Sequence, residues 1–132
     1  MEEVLPQPQP KAENKPVNDV EANKVMAAVG YIGILCLIPL LFAKDSDFAK
    51  FHGKQGLVIF LCEVALGVIG SVFSGMFISG VNMMGGFFMI NGIIMLINLA
   101  LLVLSIAGII KAFSGERWDA PVIGKWAASL KF

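Results

Sequence analysis

The sequence has almost no charge where its apolar residues are concentrated. Three apolar runs, at residues 25–43, 57–78 and 87–110, contain one formally charged residue, Glu63. Each run is close to the roughly 20 apolar residues that a helix needs to cross a bilayer core of about 30 Å. The alternation of apolar and polar residues that membrane strands require is absent. The runs therefore predict membrane-spanning helices, whose backbone hydrogen bonds are satisfied within each segment.

The chain also lacks residues that several function classes need. Its 10 basic and 10 acidic residues give a net charge of zero, so we expect no basic surface for nucleic acid. With 2 cysteines, 1 histidine and no Cys-x-x-Cys spacing, the sequence predicts no metal site and no cofactor. No nucleophile stands with a base and an orienting group, and we expect no enzyme activity.

The apolar runs and the C-terminal segment predict an all-α integral membrane protein with three transmembrane helices and a short C-terminal interfacial helix. The proline-rich residues 1–17 are expected to form a disordered tail, because they have little apolar surface to bury. Residues 18–132 then form a helical membrane domain, with the three runs as spans, a loop at 44–56 and an interfacial segment at 118–132. Pro39 predicts a kink in the first span. A fourth span or re-entrant crossing within residues 57–110 is the alternative.

The distribution of basic residues predicts the orientation. Three spans would put the two ends of the chain on opposite sides of the membrane. Seven basic residues flank the side of the first connector and the C-terminus, against three on the N-terminal side. The positive-inside rule then puts the C-terminus and the loop at 44–56 in the cytoplasm and the N-terminus outside, with the plasma membrane as the location.

Glu63 is the sharpest candidate for a functional residue. An ionisable side chain within a span is costly, and it is a functional-site hypothesis by default. Glu63 lies about two turns inside the second predicted helix, or roughly 10 Å from its cytoplasmic end. Proton or ion handling is one interpretation. The other is structural, with a protonated carboxyl or a pairing with His52 or Lys54.

Polar and small residues recur at helical spacing in the second and third runs. Asn91 and Asn98 are seven residues apart, and Gly67, Ser71 and Gly75 recur every four residues. The second pattern is the one that lets helix backbones approach closely in membranes. Together they predict a helix-packing seam, and a water-lined path is the functional alternative.

A short polar cluster, His52, Lys54 and Gln55, precedes the second span. A lone histidine without a nearby serine, cysteine or paired carboxylate is weak support for catalysis. Hydrogen bonding at the membrane surface is the simpler interpretation. The three residues remain candidates for an interaction site.

Two segments resemble a known family. They are residues 51–57, Phe-His-Gly-Lys-Gln-Gly-Leu, and residues 111–121, Lys-Ala-Phe-Ser-Gly-Glu-Arg-Trp-Asp-Ala-Pro. Over about residues 25–125 the chain resembles a widespread prokaryotic family of small membrane proteins labelled as a domain of unknown function (DUF forty-eight seventy). That family is described as similar to Tic-twenty, the small inner-envelope component of the chloroplast import machinery. The resemblance implies a polytopic membrane protein and gives the bacterial family no activity.

Two functional hypotheses follow. The first is a non-enzymatic assembly or adaptor subunit that associates with itself or with another membrane protein in the lipid bilayer, as the small-residue pattern and the polar loop suggest. The second is a transport or protein-translocation component, import-like or ion-conducting, as Glu63, Asn91, Asn98 and the import-family resemblance suggest. We expect no nucleic acid partner in either case.

Overall fold

The computed structural model describes residues 16–78 and 84–131, and every regular element in this part of the chain is helical. In chain order the elements are α1 (Pro16–Val29), a 3-10 turn (Gly33–Cys36), α2 (Leu37–Phe42), α3 (Asp47–Ile78), α4 (Met84–Phe113) and α5 (Ile123–Ser129). The all-helical fold class is confirmed to that extent. The predicted disordered tail lies outside the described residues, apart from its last two positions, which open α1.

Helices α3 and α4 form an antiparallel pair. The first half of α3 packs on the second half of α4, and farther along Gly70 faces Ile94. Within the described residues these two helices are long and apolar enough to cross a membrane, over Asp47–Met76 and Gly85–Phe113. Only 17% of the most apolar stretch of each is buried inside the protein, so both present bare apolar sides. The structure therefore has two candidate spans, and the predicted first span, residues 25–43, is not among them.

The predicted first span, residues 25–43, is interrupted. Helix α1 ends at Val29, and the chain turns through Gly33, whose φ is +49°, a backbone conformation that glycine adopts readily. The apolar helical segment that follows, Gly33–Phe42, is 10 residues long, about 15 Å at 1.5 Å per residue and half of what a span needs. Pro39 does not kink a long helix. It lies in the first turn of α2, where its missing N–H has no helical acceptor.

Helix α1 lies against the start of α3 and the end of α4. Ala27, Ala28, Phe48 and Ala112 form a small buried core between the three helices. The carboxylate of Asp19 accepts a hydrogen bond from the backbone N–H of Phe48 at 3.3 Å. Helix α1 therefore lies at the same end of the α3–α4 pair as the end of α4, although its start is predicted to lie on the opposite side of the membrane from the C-terminus. The predicted placement of the two ends on opposite sides depended on three spans, and the orientation in the membrane stays a prediction.

Helix α3 begins within the predicted loop at 44–56. The Ser46 hydroxyl accepts the Ala49 N–H at 3.0 Å and caps the helix, and Asp47 adds an acidic residue in the first turn. Gly53 and Gly56, which appeared to be loop residues, lie within the helix and let other segments approach its backbone. A β-carbon at Gly56 would overlap the Gly30 carbonyl group, and one at Gly53 would lie 3.1 Å from Cγ of Pro39.

The C-terminal region folds back onto α3. An extended segment that we call the strap, residues 116–120, leads to the seven-residue helix α5. Ile123 and Ala127 are buried against the α3–α4 core, whereas Val122 and Trp126 are exposed. The predicted short C-terminal helix is present, and its contact with the membrane surface remains a prediction. We call α1, residues 44–56 and residues 114–131 together the polar cap.

Candidate functional site

Three buried polar side chains meet in the polar cap. His52 and Gln55 lie one turn apart on α3, and Tyr31 reaches them from the turn after α1. Their relative exposures are 0%, 1% and 4%. The Tyr31 hydroxyl is 2.9 Å from Nδ1 of His52 and 3.4 Å from Oε1 of Gln55. Side chains so deeply buried require hydrogen-bond partners, and all three have them.

The contacts of His52 fix its protonation pattern. Nε2 lies 3.0 Å from the carbonyl oxygen of Glu116, which can only accept, so Nε2 carries the hydrogen and donates. Nδ1 then accepts the hydrogen bond that the Tyr31 hydroxyl donates. Burial raises the pKa of Tyr31 above its ordinary value, and the negative charge of Asp119 raises this pKa further, so the phenol remains a donor.

Gln55 holds the strap through both ends of its amide. Nε2 donates to the carbonyl oxygen of Trp118 at 3.0 Å, and Oε1 accepts the N–H of Ala120 at 3.1 Å. With the bond from His52 to Glu116, α3 makes three side-chain hydrogen bonds to strap backbone more than 60 residues away. Because no described residue forms a strand beside the strap, these bonds replace the backbone pairing that a sheet would supply.

Phenylalanine rings surround the histidine. The ring centroids of Phe48 and Phe51 are 4.8 Å and 5.2 Å from that of His52, both edge-on. The Tyr31 ring lies against Gly108 of α4, where a β-carbon would overlap it. The cluster therefore joins α1, α3, α4 and the strap. Its arrangement suits a structural role, because both imidazole nitrogens are engaged and enclosed. We call Tyr31, His52 and Gln55 together the clamp.

Lys54 lies beside this cluster but on the outer side of α3. Its ammonium group donates to the carbonyl oxygen of Leu130 at 2.8 Å and so ties α5 to α3. Next to it is a cavity of about 300 Å³ between α3 and α5, lined also by Lys50, Phe51 and Arg117. Of the predicted cluster, His52 lies in the buried clamp, Lys54 lines the cavity, and Gln55 does both.

The remaining candidates in α3 and α4 do not join this site. Glu63 is half-buried, nine residues beyond Lys54 or about 13 Å along the helix, and no hydrogen bond or ion pair joins it to a described residue. The predicted pairing with His52 or Lys54 is wrong. The amides of Asn91 and Asn98 donate to Phe87 and Ile94 in their own helix, both at 2.9 Å.

The small-residue stripe lies on the outside of the pair. Gly67, Ser71 and Gly75 are exposed, and a β-carbon built at either glycine would meet nothing within 4 Å. Ser71 donates to the Gly67 carbonyl oxygen within the helix at 2.7 Å. The predicted seam between these residues and α4 is therefore wrong within one chain. A contact with a helix of another chain remains a prediction.

Sequence analysis missed Tyr31 and the strap. Tyr31 is the sole tyrosine of the chain and interrupts an apolar run, which was a usable signal for a partner of the sole histidine. The strap contributes backbone atoms, which carry no sequence signal. Among the described residues no group of three or more His, Cys, Asp or Glu side chains is arranged to hold a metal ion.

Comparison with known proteins identifies the family. The model of the magnetosome magnetite crystal formation protein family, MamF/MmsF, matches residues 22–127, which include the clamp, the strap and both long helices. The chain belongs to this family. The family assignment overturns the resemblance to the DUF forty-eight seventy and Tic-twenty proteins. Residues 51–57 and 111–121, which suggested it, include hydrogen-bonded residues of the clamp and the strap.

Curated relatives agree with the MamF/MmsF assignment. Magnetosome protein MamF of Paramagnetospirillum magneticum is 32% identical over 107 residues, 80% of this chain and 83% of that protein. Magnetosome protein MmsF of the same organism is 35% identical over 105 residues, 79% and 83% of the two chains. UPF0132 membrane protein MJ1527 of Methanocaldococcus jannaschii is 33% identical over 100 residues, 70% and 62% of the chains. No solved structure matches.

Proposed function

We propose that this chain is a non-enzymatic membrane protein that acts in magnetite crystal formation by assembling with other copies of itself or with other membrane proteins. The family match over residues 22–127 is the observation that supports this most directly. The architecture is compatible with it. A polar cap is joined to two long helices whose apolar sides are exposed to lipid or to neighbouring helices.

Transport is a weaker candidate for this architecture. The two asparagine amides in α4 are bonded to backbone of their own helix, and Glu63 stands apart from the polar cap. Two helices do not enclose a path by themselves. The role of Glu63 stays a prediction, because nothing in its surroundings assigns one.

We further propose that both ends of the chain lie in the cytoplasm, with the magnetosome membrane as the location. The 10 lysine and arginine residues all lie outside residues 57–110, and the connector between the two long helices has no charged residue. The positive-inside rule then places the whole polar cap on the cytoplasmic side.

Reporter fusions test this orientation. We expect reporters fused before Met1 and after Phe132 to give a cytoplasmic signal, and a reporter inserted after Asn82 to give an exterior one. An exterior signal from the N-terminal fusion with a cytoplasmic C-terminal one would restore the three-span topology and contradict the proposal.

Complementation tests the function itself. In a Paramagnetospirillum magneticum strain that lacks MmsF, expression of this chain is expected to shift magnetite crystal dimensions towards those of the parental strain, as measured by electron microscopy. Membrane fractionation controls for insertion. A chain that reaches the membrane at the level of MmsF and leaves the crystals unchanged would contradict the proposal.

A variant of the small-residue stripe separates lateral assembly from other roles. In Gly75→Leu the added side chain projects outward from α3 without a clash inside the chain, because a β-carbon there meets open space. We expect this variant to insert and fold but to lose complementation and crosslinking between copies, since bulk blocks close helix contact. If the variant retains both complementation and crosslinking between copies, the small-residue stripe takes no part in assembly.

A further inference from the structure

The cavity between α3 and α5 has the size of a small-ligand site. Its volume of about 300 Å³ is at the lower end of the range for pockets that bind small molecules. One wall is the first part of α3, and the other is formed by buried small residues of α5, Gly124 and Ala127. Lys54 holds the two walls together through its bond to Leu130. The cavity is therefore a defined feature of the polar cap.

Positive charge predominates around this cavity. Among the described residues, Lys50, Lys54 and Arg117 line it together with one carboxylate, that of Asp47. Neither Lys50 nor Arg117 forms an ion pair with any carboxylate in the described part of the chain. The guanidinium carbon of Arg117 lies 5.8 Å from the centroid of the Phe51 ring, a cation–π contact that orients the group beside the cavity.

These donors suit a phosphate group. Arginine offers a planar pair of N–H groups that matches two phosphate oxygens, and lysine adds a compact charge. The position of the cavity also favours a phosphate group. The cavity lies at the polar end of two membrane-length helices, and Trp126 of α5 is 56% exposed nearby, as expected for an aromatic residue at the headgroup level.

We propose that this cavity binds a phosphate group, presented by the headgroup of an anionic lipid or by free phosphate, with Lys50 and Arg117 as the main ligands. The cavity adjoins the buried clamp through Gln55, which lines it, and it is distinct from the outward apolar faces. Its occupation would stabilise the packing of α5 on α3, because a ligand that binds only the folded state shifts the unfolding equilibrium.

The test uses the purified full chain in a neutral detergent. The unfolding temperature is measured during titration with phosphatidylglycerol, with phosphatidylcholine, and with inorganic phosphate at constant ionic strength. We expect a saturable rise with phosphatidylglycerol or with inorganic phosphate, and a smaller one with phosphatidylcholine. A response to phosphatidylglycerol but not to inorganic phosphate identifies a lipid headgroup as the source, and the reverse identifies free phosphate.

Three variants separate the cavity from general surface charge. Removing one charge-assisted hydrogen bond in Arg117→Gln is expected to weaken binding about tenfold. Lys125→Gln makes the same change of charge on the exposed face of α5 and should leave the affinity within about twofold. Asp47→Asn removes the one carboxylate and should strengthen binding, which tests the site even where Arg117→Gln does not fold.

Two results would overturn the proposal. One is the absence of a saturable response to both phosphatidylglycerol and inorganic phosphate. The other is an equal loss of affinity in Lys125→Gln and Arg117→Gln, with no gain in Asp47→Asn, because that pattern means general attraction to a basic surface. Magnetite formation does not enter the measurement, so this proposal and the proposed function fail independently.

Discussion

A Gly56→Ala chain is expected to lose about 3 kcal/mol of its free energy of unfolding, or to fail to fold. The added β-carbon would occupy the position of the Gly30 carbonyl group. Because this group is backbone and not the end of a flexible side chain, it cannot rotate away. Helix α1 and α3 would have to separate, which would expose the buried core around Phe48 and Ala112. Denaturant titration in detergent and the yield of monodisperse protein measure the effect.

Gly67→Ala is the matched control for this change. It adds the same atom to the same helix, where a β-carbon meets nothing within 4 Å. Alanine is the better helix former by roughly 1 kcal/mol, so we expect this control to be unchanged or slightly more stable. Equal stability of Gly56→Ala and Gly67→Ala would show that α1 does not pack on α3 as described.

The same glycines show where sequence interpretation succeeds and where it fails. The long apolar runs at 57–78 and 87–110 predicted most of α3 and α4, because the composition that a bilayer requires is visible in any helix of that length. Gly53 and Gly56 fall within the predicted loop at 44–56, yet both lie in helix α3. In α3 their role is steric, and the segments that approach them come from distant parts of the chain.

The prediction of a span at the first apolar run, residues 25–43, was wrong for a related reason. Hydropathy alone does not distinguish one continuous helix from a turn followed by a short helix, and Gly30 and Gly33 were the local signals of the interruption. The error carried into the predicted topology, because that topology depended on the number of spans. The basic residues were divided between two sides on the assumption of three spans, and the orientation stays a prediction.

For the candidate site, the residue types were visible but their partners were not. His52 and Gln55 are recognisable in the sequence as polar residues beside a predicted span. Their partners at Glu116, Trp118 and Ala120 are backbone atoms. Any residue supplies such atoms, so sequence inspection does not locate them.

Loss of the Gln55 amide is expected to release the strap. In Gln55→Leu, the part-buried carbonyl of Trp118 and the buried N–H of Ala120 lose their partners, and for the N–H the cost is about 1–3 kcal/mol. The strap then opens locally, because exposure to water satisfies both groups. We expect the Ala120 amide, whose residue is 2% exposed in the intact protein, to exchange its hydrogen about 30-fold faster or more.

Two comparisons make this a test of the clamp. Tyr31→Phe removes a hydroxyl that contacts His52 and Gln55 but not the strap itself, so its effect on Ala120 exchange should be several-fold smaller. Asn98→Leu removes an amide that bonds only its own helix, and it should leave Ala120 exchange unchanged. If Ala120 exchanges at the same rate in Gln55→Leu and in the unaltered chain, the strap is held by the packing of α5 alone and the clamp has no structural role. If exchange accelerates only in Gln55→Leu and, more weakly, in Tyr31→Phe, the buried polar side chains hold the polar cap together.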